Sequence, residues 1–189
     1  MENQAVLLEA MRSVYSPGFQ AVRENLHKLG KIRRVSFQYC QYSRRYDNFK
    51  KGIIENAFNP ALSNGALMDI GVYCVHPLVS LFGKPERVVT SSLKLSNGID
   101  GAGTILVEYP EFQGELLYSK ITDSRVPSQI QGEEGTMVIR EIPDPQEITI
   151  YYRSGKTENL ENSRMEMELM DEVRRQQGII FPADTINRE

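Results

Sequence analysis

From Glu86 to Arg153 the chain is dominated by strand-forming runs. "ERVVTSSLKLS", "AGTILVEY", "GELLYSKIT", "SQIQGEEGTMVIR" and "EITIYYR" are rich in Val, Ile, Leu, Thr and Tyr and are punctuated by Gly, Pro and Asn. The links between them are too short for the helical crossovers that parallel neighbours require, so successive runs should pair antiparallel. This excludes a chain built from alternating β and α units. Helical patterns fall before and after the block. The expectation is an α+β fold: an open, mostly antiparallel sheet with helices on one face and the other face available for dimerisation.

Before the block, apolar residues at Val6, Leu7, Ala10, Met11 and Val14 follow helical spacing. Ser16 and Pro17 then read as N-cap and N1 of a second helix reaching about Leu29, with Gly30 as its stop. "KIRRVSFQYCQYS" reads as a strand, and "RRYDNFKKGIIENAFNPALSNGA" as a long loop. A last helix is expected over Ser163–Gln177. The net charge of -3 gives no reason to expect nucleic acid as a partner. No apolar run approaches the length of a bilayer span, so no membrane partner is expected. Cys40 and Cys74 are isolated thiols, which fits a reduced, cytoplasmic protein. Two distant histidines and scattered acids make no metal site.

One helical stretch carries unusual chemistry. In "SNGALMDIGVYCVHP" the spacing of Asp69, Tyr73 and His76, continued by Ser80, places them within an arc of about 60° at about 100° per residue. Leu67, Ile70, Cys74, Leu78 and Leu81 form a separate apolar face that should pack on the sheet. Pro77 lacks the N–H that would bond the Tyr73 carbonyl, so a kink or break is expected there. Gly71, in a helix interior, points to a close neighbour. A carboxylate one turn from a phenol can orient it for proton transfer; the alternative is an ordinary wet helix face. Arg12 and Arg44 are further candidates for substrate contact, the former competing with a simple ion pair. Arg44, Arg45, Lys50 and Lys51 together form a basic segment diluted by Asp47 and Glu55. His76 could serve substrate contact or a structural hydrogen bond. His27 reads as a helix-end surface residue.

The run "GALMDIGVYCVHPLVSLFG" closely resembles a motif of the Gfo/Idh/MocA oxidoreductases: small residues, then Leu-x-Asp-x-Gly, then His or Tyr four residues after the Asp. The tyrosine form resembles the dihydrodiol dehydrogenase and glucose–fructose oxidoreductase branch. "EAMRSVYSPGFQAVRENL" and "MDEVRRQQGIIFPAD" also resemble segments of that family's C-terminal domain. The resemblance implies a two-domain enzyme in which a Rossmann domain holds NAD or NADP. The C-terminal domain supplies contacts to a small polyol or sugar and a homodimer interface. It implies Tyr73 as the acid–base group and Asp69 as its catalytic companion, with a lysine from a Glu-Lys-Pro motif in the cofactor domain.

Neither G-x-G-x-x-G nor Glu-Lys-Pro occurs in this sequence. The glycine-rich "NGIDGAG" joins two strand-like runs and opens no helix, so no cofactor-binding residue is assigned in this chain. Residues 1–29 are expected to continue from a missing cofactor domain, and residues 30–189 to form the substrate-binding and oligomerisation domain. A helix that the family usually carries between the last strand and the last helix has no counterpart in "YYRSGKTENLENSRMEMELMDEV". The leading expectation is the substrate domain of an NAD(P)-dependent oxidoreductase for a sugar, cyclitol or diol, inactive alone. A freestanding binding or assembly protein on the same domain is the alternative, and a cofactor-free acid–base enzyme a more distant one.

Overall fold

The computed structural model describes residues 11–160 and 162–180. The first part of the helix expected from Val6 lies outside the described residues. Its continuation, Arg12–Tyr15, is a 3-10 turn. Helix α1, Pro17–Asn25, begins as expected: the Ser16 hydroxyl accepts from the Phe19 amide at 3.2 Å and Pro17 fills the first turn, where its missing donor is harmless. A 3-10 turn, Leu26–Leu29, ends at Gly30, whose φ of 69° lies in the region that favours glycine.

The sheet has eight strands: β1 Ile32–Cys40, β2 Arg87–Lys94, β3 Asp100–Glu108, β4 Gln113–Ser119, β5 Ser128–Gly132, β6 Gly135–Ile139, β7 Ile148–Tyr152 and β8 Thr157–Asn159. Their spatial order is β2-β3-β4-β1-β5-β6-β7-β8. All neighbours are antiparallel except β1 and β4, which run parallel with Cys40 opposite Ser119. The sheet is therefore open and mixed, and mostly antiparallel. "SQIQGEEGTMVIR", read as one run, is a hairpin of β5 and β6 turning at Glu133 and Glu134. The segment expected to be a long loop contains helix α2, Arg44–Lys50, and two 3-10 turns. Tertiary packing makes the difference: Tyr46 and Phe49 lie against the fully buried Phe58 in a small satellite core with Ile99.

Alternation along the strands sorts the two faces. Val35 and Phe37, Leu116 and Tyr118, Met137 and Ile139, Ile148 and Ile150 point inward and are buried with Ala21, Val22, Cys74 and Leu78 from the helices. Each such side chain contributes roughly 1.5–3 kcal/mol by leaving water. The outer face is mixed. Val89, Leu93, Leu106 and Tyr151 are exposed on it, but Gln38, Gln129, Gln131 and an Arg34–Glu115 ion pair at 2.8 Å share the surface. Only two residues separate the end of β8 from helix α4, Asn162–Gln176. No helix intervenes there.

Candidate active site

Helix α3, Val72–Phe82, lies on the inner face and is preceded by one π-helical turn, Leu67–Gly71, that carries Asp69. No break occurs at Pro77, since α3 runs through it; a departure from α geometry lies in the wide turn around Asp69. Such turns recur at functional sites because they re-aim a side chain without ending the helix. Two contacts fix it. The Leu67 amide donates to Asp100 Oδ2 at 2.7 Å. Gly71 lies against the Tyr118 ring, where an added Cβ would come within 3.1 Å, which supplies the close neighbour that a helix-interior glycine implies. Of the expected apolar face, Ile70, Cys74 and Leu78 are buried, Leu81 half-buried and Leu67 more exposed.

Asp69 makes an ion pair with Lys120, the residue after the end of β4. Lys120 is 6% exposed and is the only charged residue buried among the described residues. Its backbone is held from both sides: its amide donates to Gly101 O at 2.9 Å, and its carbonyl accepts from the Ser43 amide at 2.8 Å. Asp69 stays 38% exposed at its side chain. Its Oδ2 receives Lys120, and its Oδ1 has no partner among the described residues.

Tyr73 sits one turn beyond Asp69, half-buried, and its hydroxyl bonds no described residue. Its ring meets Tyr39 of β1 edge to face, with centroids 5.7 Å apart and planes at 81°. Burial pushes the Tyr39 phenol above its usual range; Tyr73, Glu141 and Asp69 push the same way, and Arg12 opposes them. Tyr39 Oη donates to Gln41 Oε1 at 3.1 Å. Arg12, exposed, shares with Tyr39 and Glu141 an open cleft of about 360 Å³. The structure thus gathers Asp69, Tyr73 and Arg12 around Tyr39, where the parallel strands β1 and β4 end. His76 is half-buried on α3, without a hydrogen bond to any described residue. Arg44 is exposed at the start of α2, and no described contact joins it to this cluster.

Tyr39 and Lys120 are absent from the sequence candidates, though strand alternation marks both. Val35, Phe37 and Tyr39 share one face of β1; Leu116, Tyr118 and Lys120 continue one face of β4. A lysine at a core-facing position calls for an acid to neutralise it.

The glycine-rich stretch does not form a dinucleotide-binding turn. The glycine-rich stretch at 97–103 turns a hairpin, with the Gly98 amide bonding Leu95 O at 2.9 Å, and runs straight into β3. It opens no helix N-terminus that could receive a pyrophosphate. Among the described residues no group of three or more His, Cys, Asp or Glu is placed to hold a metal ion, and no helix is long and apolar enough to cross a membrane. Burial pushes the thiols of both Cys74 and Cys40 up, which argues against either as a nucleophile.

An open mixed sheet with helices on its inner face, and a π turn carrying an acid one turn before a tyrosine, make an α+β domain. Residues 19–138 match the GFO/IDH/MocA C-terminal domain, and the chain belongs to that family. It is 42% identical over 214 aligned positions to the scyllo-inositol 2-dehydrogenase (NADP(+)) IolU of Bacillus subtilis, covering 96% of this chain and 65% of the relative. It is 25% identical to human trans-1,2-dihydrobenzene-1,2-diol dehydrogenase, over 94% of this chain and 64% of that protein. The chain therefore spans about two thirds of the length of these relatives. Since 214 positions exceed the 189 residues present, IolU has residues with no counterpart here. In fold the chain resembles KijD10, a 3-ketoreductase from Actinomadura kijaniata crystallised with NADP and TDP-benzene. The TM-score is 0.72 at 16% identity, over 84% of this chain and 50% of that one.

Proposed function

We propose that this domain is the substrate-contacting half of an NAD(P)-dependent oxidoreductase acting on a hydroxyl of a cyclitol, sugar or diol. The observation that carries the reading is the open polar cluster at the ends of β1 and β4. There Tyr73 Oη and Asp69 Oδ1 both lack partners among the described residues, while the atoms around them are fixed. Tyr73 exchanges a proton with the substrate oxygen through Oη, help worth about 10²–10⁴-fold in rate. Asp69 accepts a hydrogen bond from a substrate hydroxyl and orients it. Arg12, which shares the cleft with Tyr39, and His76, three residues beyond Tyr73 on α3, would be further substrate contacts, and Arg44 would have to reach them from α2. In this reading a separate cofactor domain holds the nicotinamide, which would accept or supply the hydride, and this domain is inactive alone. Two copies pair across the outer sheet face through Val89, Leu93 and Leu106. Light scattering that gives a constant 21.5 kDa at every concentration would overturn the dimer.

The test of the site is a nuclear magnetic resonance titration of the 189-residue chain with scyllo-inositol, the compound for which the relative at 42% identity is named. Shifts are expected at Asp69, Tyr73 and Tyr39. Shifts confined to other surfaces, or none up to the solubility limit, would sink the reading.

A further inference from the structure

A buried ammonium is expensive unless it is paired, and a protein that keeps one in an otherwise apolar layer holds its counter-ion in a fixed place. Lys120 is such a group. It continues the inward face of β4 beyond Leu116 and Tyr118, is 6% exposed, and pairs with an acid on an element 51 residues away in sequence. The backbone on each side of its side chain is pinned by the hydrogen bonds to Gly101 and Ser43, and the side chain that leaves this fixed point is itself buried. Asp69, by contrast, lies on a π turn, with half-open surroundings and no other side-chain partner among the described residues. Of the two, the lysine is the anchor and the aspartate the group being held.

We propose that Lys120 is a positioning residue of the reaction site: it fixes the Asp69 carboxylate through Oδ2 and so presents Oδ1 to a substrate hydroxyl. This rests on the proposed role of the domain in binding a polyol. The pairing also cancels the carboxylate's charge next to Tyr73, so the pocket receives an uncharged polyol without a bare anion facing it. Lys120 acts through Asp69 and has no direct part in the reaction; with its side chain only 8% exposed, it leaves the ligand to its partner.

Two measurements on the 189-residue chain decide it. The first uses no ligand. The Lys120 Nζ resonance should be protected from exchange beyond those of surface lysines and lose that protection in Asp69→Asn. The Asp69 carboxyl carbon should move in Lys120→Met and return in Lys120→Arg. An Nζ signal that exchanges like an exposed lysine, or a carboxyl carbon indifferent to Lys120→Met, overturns the proposal. The second titrates scyllo-inositol. Losing one charge-assisted contact's geometry should weaken binding about tenfold or more in Lys120→Met, with Lys120→Arg recovering most of it. Equal binding by the wild type and Lys120→Met overturns the proposal even if the first measurement succeeds. If scyllo-inositol perturbs neither Asp69 nor Tyr73 in the wild type, the functional reading falls, and the ligand-free signals alone judge whether Lys120 fixes Asp69.

Discussion

The molecule contains two trios of the same three residue types, and they differ in what the protein leaves unused. In and beside α2, Tyr42 donates to Asp47 at 2.7 Å, Lys50 donates to the Tyr42 oxygen at 2.9 Å, and Lys50 pairs with Asp47 at 2.8 Å. Lys50 also lies over the Tyr42 and Tyr46 rings. That trio is closed, solvated and local in sequence. Asp69, Lys120 and Tyr73 come from a helix and a distant strand, bury their cation, and leave one carboxylate oxygen and one phenol without a partner among the described residues. Residue types alone do not distinguish them. Unspent hydrogen-bonding capacity beside a fixed charge does.

The largest effect should separate the two tyrosines. In an enzyme that joins this domain to a nicotinamide-binding partner domain, Tyr73→Phe keeps the edge-to-face contact with Tyr39 and removes the proton. Turnover should fall about 10²–10⁴-fold, with the circular dichroism spectrum unchanged. Tyr42→Phe, which opens the closed trio, should leave turnover near the wild-type level. Equal losses in the two variants would erase the distinction.

Stability gives the next contrast. Asp69→Asn strands the Lys120 ammonium in the core, and breaking a fully buried pair costs about 3–5 kcal/mol. Because Asp69 is 38% exposed, water can reach the ammonium from that side, and the expected loss in urea unfolding is about 2–3 kcal/mol. Lys120→Met should be nearly neutral, since the carboxylate it abandons is already solvated. Asp47→Asn in the exposed trio should scarcely move the unfolding midpoint. The asymmetry between the two halves of the Asp69–Lys120 pair is the diagnostic. If Lys120→Met is as damaging as Asp69→Asn, the lysine has a packing role that the ion pair does not explain.

Where the sequence is legible, the signal is a period. The α1 cap at Ser16 and Pro17, the last helix and most strands all come from local spacing. The misses are non-local or too short to carry a period. The parallel pairing of β1 with β4 joins residues about 80 apart. No local pattern encodes it, yet it brings the ends of the two strands side by side at the candidate site. Helix α2 is seven residues long and is held by Phe58, and β8 is a polar three-residue edge strand. The β5–β6 turn uses two glutamates in place of the usual Asn-Gly pair, so nothing announces it. A π turn keeps an acid four residues before a tyrosine, so helical spacing alone cannot reveal it. Lys120 is readable as an inward charge at the end of β4, but its partner becomes evident only in three dimensions.

The smallest effect is a titration, and it sharpens what closed means. The Lys50 hydrogen bond, with a second from Tyr42, holds the Asp47 carboxyl below its usual 3.8. Lys50 is in turn pushed above its usual 10.5, chiefly by its hydrogen bond to Asp47. The signs come from linkage. Asp47 has a depressed folded value, so its contribution is complete above 3.8 and disappears as pH falls through that lower value. Lys50 has a raised folded value, so its contribution is complete below 10.5 and disappears as pH climbs through the higher one. Between those limits the trio is intact, and α2 should show no pH dependence of its own. Carbon-detected titration of Asp47 should therefore give a midpoint under 3.8 in the wild type. Lys50→Gln should return it toward the ordinary value, and Tyr42→Phe should do so to a smaller extent, because the lysine is the larger cause. Tyr73→Phe should leave it untouched, since the two trios share no partner. A wild-type Asp47 that titrates at the ordinary carboxylate value would show that the α2 trio is not closed in solution, and the contrast with Asp69, Lys120 and Tyr73 would then lose its reference.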